Sequence, residues 1–123
     1  MTPALLRLTV GQGLALEPPF SRYHTNYMMH VPTSVDTITF TVTKDEADEF
    51  RGSKDLKNTF AYIQYIPLLK VNDISPHIPQ RATETVDVDF AENADATRAI
   101  LDFGVYNEDV DNLTRYKVDI YRI

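Results

Sequence analysis

The chain has 123 residues, and its 43% hydrophobic and 24% charged residues are typical of one folded domain with its own core. A net charge of −6 disfavours binding to nucleic acid or to acidic membrane surfaces, because both need clustered Lys and Arg. The sequence contains no cysteine, which excludes disulfides, zinc–thiolate sites, iron–sulfur clusters and thiol catalysis.

Alternation of apolar and polar residues with a period of two dominates the chain and predicts β-strands. In the first strand, Leu6, Leu8 and Val10 are expected to face the core, opposite Arg7 and Thr9. The same pattern predicts these further inward faces in chain order: Tyr27, Met29 and Val31; Ile38, Phe40 and Val42; Val86, Val88 and Phe90; Leu101, Phe103 and Val105; Tyr116, Val118 and Ile120.

The connecting segments carry turn residues and charge. Residues 44–58 read as a divergent charged insertion, either a loop or a loop with one helical turn, and Pro67 is expected to break the aromatic strand that follows. Residues 72–82 are predicted as an extended crossing or edge loop, and residues 91–99 as a connector that could hold one helical turn. About seven short strands predict a single all-β domain over residues 1–123, an immunoglobulin-like antiparallel β-sandwich.

Both ends of the chain carry residues in a recognisable order. The N-terminal residues are Leu6, Leu8, Gly13, Leu16, Pro19, Phe20, Ser21, Tyr27, Val31, Pro32, Val35 and Ile38, and the C-terminal ones are Tyr116, Val118, Ile120 and Arg122. In this order the chain resembles the cadherin-like β-sandwich domain, an immunoglobulin-like module, whereas residues 44–95 do not match. The resemblance implies an architectural module of larger surface, secreted or multidomain proteins. It brings no catalytic residues and favours an extracellular or cell-surface location.

Catalytic and metal-binding residue sets are sparse. His24, His30 and His77 are predicted to be surface residues, since His24 and His30 would lie roughly 20 Å apart along an extended strand. Asp87 and Asp89 face the same side of one strand, but no cleft is indicated around them. We therefore predict no catalytic, cofactor or metal site and a protein that is not an enzyme.

Ligand binding remains an alternative. The acidic turn of residues 107–112, together with residues 71–73, offers oxygen atoms of the kind that calcium prefers, and bound calcium would raise the unfolding midpoint. Tyr106 and Tyr121 point away from the predicted core and are candidates for a partner or carbohydrate surface. Asn112 begins an N-glycosylation sequon.

The sequence thus predicts a non-catalytic β-sandwich module with a structural or protein-interaction role within a larger protein. Its partners would be another protein or neighbouring domains of the same chain, with no nucleic acid and no membrane insertion. Contacts are expected from residues 44–58, from residues 72–81 or from exposed sheet edges. The alternatives are a calcium- or carbohydrate-binding module and, third, a small enzyme.

Overall fold

The computed structural model describes residues 4–44, 59–67, 71–75, 83–106 and 113–123. These residues contain eight β-strands. The strands are β1 (Leu5–Val10), β2 (Asn26–Val31), β3 (Thr37–Lys44), β4 (Thr59–Ile66), β5 (Val71–Ser75), β6 (Thr83–Asp89), β7 (Arg98–Tyr106) and β8 (Leu113–Arg122). No helix occurs within these described ranges. The predicted all-β class is confirmed.

The strands form two sheets. One has three strands in the order β1-β3-β6, and the other has five in the order β2-β8-β7-β4-β5. The strand pairs are antiparallel except that β2 runs parallel to β8, so the expectation of a wholly antiparallel sandwich is wrong at this edge. Residues 11–25 carry the chain from β1 in the three-stranded sheet to β2 at the edge of the five-stranded sheet, where β2 adds beside β8 in the same direction.

The core lies between the two sheets. Leu8, Phe40, Val88 and Val118 come from both sheets and share one buried cluster, as the alternation predicts. The Phe40 and Phe103 rings contact edge to face across the interior, with ring centroids 6.5 Å apart. Full burial of one such side chain contributes about 1.5–3 kcal/mol, so this interior is the main source of stability. The structure is a β-sandwich.

The predicted inward faces of β2, β3, β6, β7 and β8 are confirmed, but the face of β1 is not. Leu5 and Leu8 are buried, whereas Leu6 is 50% exposed. The register of β1 against β3 shifts between Leu5 and Arg7, which marks a β-bulge. An extra residue at a bulge moves the next side chains to the other face, so strict alternation assigns Leu6 to the wrong side.

Two connecting segments differ from their predicted form. Residues 71–75 form β5, an edge strand paired with β4, where an extended loop was expected from residue 72 onward. In the connector before β7, Asn93 N donates to Phe90 O and Ala96 N donates to Asn93 O, giving two successive turns and no helical turn. β4 ends at Ile66, immediately before Pro67, as predicted. Residues 45–58, 76–82 and 107–112 lie outside the described residues.

An aromatic cluster fixes the segment before β2. The Tyr116 hydroxyl donates to Arg22 O (2.6 Å) and accepts from Leu5 N (3.2 Å), which ties β8 to both N-terminal segments. The Tyr27 hydroxyl lies 2.6 Å from His24 O and accepts from Ser21 N at 3.0 Å. The Phe20 ring lies 5.9 Å from each of the two tyrosine rings, measured between centroids. These aromatic residues therefore attach the segment before β2, and the start of β1, to the sandwich.

Candidate interaction surface

Outward side chains of β2, β8, β7 and β4 form one continuous surface, which we call the five-strand outer face. The strand register aligns these side chains in rows that run from β2 to β4. The first row holds His30, Tyr121, Arg98 and Ile66, the second holds Met28, Asp119, Ile100 and Gln64, and the third holds Asn26, Lys117, Asp102 and Tyr62. The surface is therefore four strands wide and mixes aromatic, thioether and charged groups.

A bidentate ion pair lies at the centre of this face. Arg98 donates from Nε to Asp119 Oδ1 (2.7 Å) and from Nη2 to Asp119 Oδ2 (2.6 Å). The Tyr121 hydroxyl also donates to Asp119 Oδ2, at 3.2 Å. The hydrogen bonds from Arg98, more than its charge, lower the pKa of Asp119, although partial burial opposes the shift. The same hydrogen bonds raise the pKa of Arg98. Both carboxylate oxygens of Asp119 are thus occupied within the protein.

The Tyr121 ring lies next to both the Arg98 guanidinium and the His30 ring. The Arg98 guanidinium lies 4.9 Å from the Tyr121 ring centroid, and the His30 ring stacks on Tyr121 at 5.9 Å between centroids. His30 Nδ1 lies 3.1 Å from Glu17 Oε2, and the backbone of Glu17 pairs with Met28 at the free side of β2. Arg98 and His30 together hold the Tyr121 ring in one position on the outer face. A side chain that is already ordered in the free protein loses little conformational entropy when a partner binds.

The charges in the third row are unevenly compensated. Asp102 Oδ1 lies 3.6 Å from Arg115 Nε, so this carboxylate already has a cationic neighbour. Lys117 is exposed and lies between Asn26 and Asp102 in the register. Its ammonium group forms no ion pair with any residue in the described part of the chain.

A shallow cavity of about 270 Å³ opens between β2 and β8 on the same face. Its lining residues are Glu17, Asn26, Tyr27, Met28, Lys117 and Asp119. Met28 is 41% exposed and supplies apolar surface here, and Tyr62 on β4 is 38% exposed. Such a cavity suits one side chain of a partner better than a large ligand, since ligand pockets usually enclose more of their occupant.

The outward face of the other sheet has a different composition. It carries threonines on three adjacent strands, with Thr9 opposite Thr41 and Thr41 opposite Thr85 in the register. Thr43 Oγ1 lies 3.1 Å from Thr83 Oγ1 on the neighbouring strand. Cross-strand threonine pairs stabilise a sheet, so this face has a structural explanation.

Several residues singled out in the sequence have structural contacts. Asp87 Oδ1 accepts from Thr39 Oγ1, and Asp89 Oδ1 accepts from Ala91 N, so the two carboxylates stabilise the sheet and a turn. His24 packs edge to face on Tyr27, at 5.1 Å between ring centroids. His77 and the side chain of Tyr106 lie outside the described residues, as do the acidic turn 107–112 and its Asn112.

Of the predicted partner residues, Tyr121 lies within the five-strand outer face. The alternation of β8 already places Lys117, Asp119 and Tyr121 on one side, but it does not reveal their neighbours on β2 and β7. The contacts with β2 depend on a parallel pairing of strands more than 80 residues apart, for which the chain carries no local signal.

Within the described residues, no group of three or more His, Asp or Glu side chains is placed to hold a metal ion. The same residues include no helix long and apolar enough to cross a membrane. Comparisons with protein-family models, with curated proteins and with solved structures found no match for the chain.

Proposed function

We propose that the chain is a non-catalytic, immunoglobulin-like module of a larger protein, and that it binds a protein partner through the five-strand outer face. The architectural part of this role is inferred from the resemblance of the two ends of the chain to the cadherin-like domain. The strand order supports it, because immunoglobulin domains likewise pair nonconsecutive strands in two sheets, with the last two strands adjacent.

The observation that carries the proposal is the contrast between the two outward faces. Protein interfaces are enriched in Tyr, Met and Arg and depleted of Lys, Ser, Ala, Asp and Glu. The five-strand outer face presents Met28, Tyr62, Tyr121 and Arg98 on rigid strands. The threonine-rich face of the other sheet offers none of these residue types except Arg7.

Matched surface variants test this assignment by affinity capture from cells that make the protein. The first variant combines Met28→Glu with Tyr62→Glu, and the control combines Thr9→Glu with Thr85→Glu on the opposite face. Both variants add two negative charges at outward positions of strands. We expect a partner that co-purifies with the wild-type chain and with the control, but that is lost with the first variant.

Loss of the same partner with the control and retention with the first variant would contradict the proposal. Circular dichroism of each variant establishes that both remain folded, so a lost partner reflects the altered surface. A partner retained by both variants would equally contradict it, because the contact would then lie outside both faces.

A further inference from the structure

A single unpaired cation marks one position on the five-strand outer face. Asp119 is held by Arg98 and Tyr121, and Asp102 lies beside Arg115. Lys117 is then left as the cation of this face that forms no ion pair within the described part of the chain, although its charge helps to lower the pKa of Asp119 at longer range. An external anion could therefore approach its ammonium without displacing an ion-pair partner.

The residues next to Lys117 favour a carboxylate that is carried on a short apolar stem. Asn26 is its register partner on β2, so the two backbones are about 4.8 Å apart and both side chains extend from the same face. An ammonium and an amide together can donate to both oxygens of one carboxylate. Met28, 41% exposed in the adjoining row, supplies apolar surface for the methylene groups that carry such a carboxylate.

The cavity sets the size of the occupant. The cavity has a volume of about 270 Å³ and is open to solvent on one side. Its lining includes Asn26, Met28 and Lys117, together with Glu17 and Asp119. This space accommodates one acidic side chain with its stem against Met28. Glu17 is already engaged by His30, which leaves the Lys117 end as the attractive one for a carboxylate.

The local charge balance is compatible with an acidic partner at this place. The whole chain has 12 Lys and Arg against 18 Asp and Glu, so its average field repels an acidic protein. The outward residues of β2, β8, β7 and β4 carry three cations (Arg98, Arg115 and Lys117) against two carboxylates (Asp102 and Asp119), and Glu17 beside β2 makes the two numbers equal. This face therefore repels an acidic partner less than the average surface of the chain does.

We propose that the cavity between β2 and β8 is the specificity site of the module, and that it binds a Glu or Asp side chain of the partner protein through Lys117 and Asn26 beside Met28. This inference rests on the proposed function and adds the chemistry of the partner to it. The residue that decides specificity is Lys117, because it supplies the unpaired charge.

NMR titration of the whole chain tests the site without knowledge of the partner. The probes are two short, acetylated and amidated peptides, one with a Glu between two Leu residues and the other with Gln at the same place. We expect the Glu peptide to cause saturable shifts at the Asn26 side-chain amide, the Met28 methyl group and the Lys117 backbone amide. The Gln peptide should bind about two- to fivefold more weakly, as expected for the loss of one exposed ion pair.

Two matched variants complete the test. Lys117→Gln should weaken binding of the Glu peptide about two- to fivefold, while Arg7→Gln, which removes one exposed cation from the other sheet, should leave it unchanged. Equal binding of the two peptides, or an unchanged affinity in Lys117→Gln, would overturn the inference. Affinity capture with the Met28 and Tyr62 variants is independent of acidic preference, so it can support the interaction face even where this site fails.

Discussion

At the scale of single residues, the buried phenol groups of Tyr27 and Tyr116 attach the N-terminal segments to the sandwich. Tyr116 is fully buried, and its hydroxyl connects β8 to Leu5 N and Arg22 O. Burial raises the pKa of Tyr116, so this hydroxyl keeps its proton and remains a donor over the physiological pH range. A buried donor that has such partners stabilises the fold mainly because its loss leaves them unsatisfied.

Tyr116→Phe removes this hydroxyl and keeps the ring. We expect the free energy of unfolding to fall by about 1–3 kcal/mol, because Leu5 N loses its acceptor in a dry environment. Urea denaturation of the variant and of the wild type measures the change. Tyr23→Phe is the control, since Tyr23 is 88% exposed and its substitution should alter stability by less than about 0.5 kcal/mol.

Acid stability depends on the pair between Arg98 and Asp119. Because the pKa of Asp119 is lowered in the folded state, its contribution is fully present above the unfolded value of about 3.9 and is lost as pH falls through the folded value. We expect the unfolding free energy of the wild type to decline below about pH 4 more steeply than that of Asp119→Asn. Urea denaturation at a series of pH values between neutral and acid measures both slopes. Equal slopes would show that the pair does not contribute.

At the scale of strands, the β-bulge in β1 decides which leucines build the core. Leu5 and Leu8 are buried on either side of the register shift, and Leu6 is exposed between them. The bulge lies in an edge strand, where such irregularities also discourage pairing with another chain. The first strand therefore serves both packing and protection of the edge.

Leu8→Ala and Leu6→Ala measure this assignment directly. Leu8→Ala should lower the free energy of unfolding by about 2–5 kcal/mol, because it leaves a cavity between the sheets. Leu6→Ala should change it by less than about 0.5 kcal/mol, since half of that side chain is already in solvent. Similar losses in the two variants would contradict the register of β1.

How much of the fold the sequence predicts follows from how local each signal is. The inward residues of β3, β6 and β8 follow from alternation alone, because one face of each strand is buried and the other is polar. The bulge at Leu6 and the edge strand β5 depend on pairing with partners remote in sequence, which alternation does not encode. The neighbourhood of Asn26 and Lys117 was unpredictable for the same reason, since it arises from the parallel pairing of β2 with β8.

At the scale of the whole molecule, the sandwich presents two outward faces of different chemistry. One is a threonine-rich surface whose hydroxyl groups pair across strands, as between Thr43 and Thr83. The other is a rigid surface that carries Met28, Tyr121 and an arginine-held pair of carboxylates. The proposed partner surface is the second of these faces, and the first has a structural explanation in its cross-strand threonine pairs.

Photo-crosslinking tests the central claim, that the partner binds the five-strand outer face, most directly. A photoreactive amino acid is placed singly at Met28 or Gln64 on that face, or at Thr41 or Thr9 on the opposite face, and irradiated in the cells that make the protein. We expect the same partner to be crosslinked from Met28 and Gln64 and from neither threonine position. Crosslinks to a partner from Thr41 or Thr9, with none from Met28 and Gln64, would contradict the account.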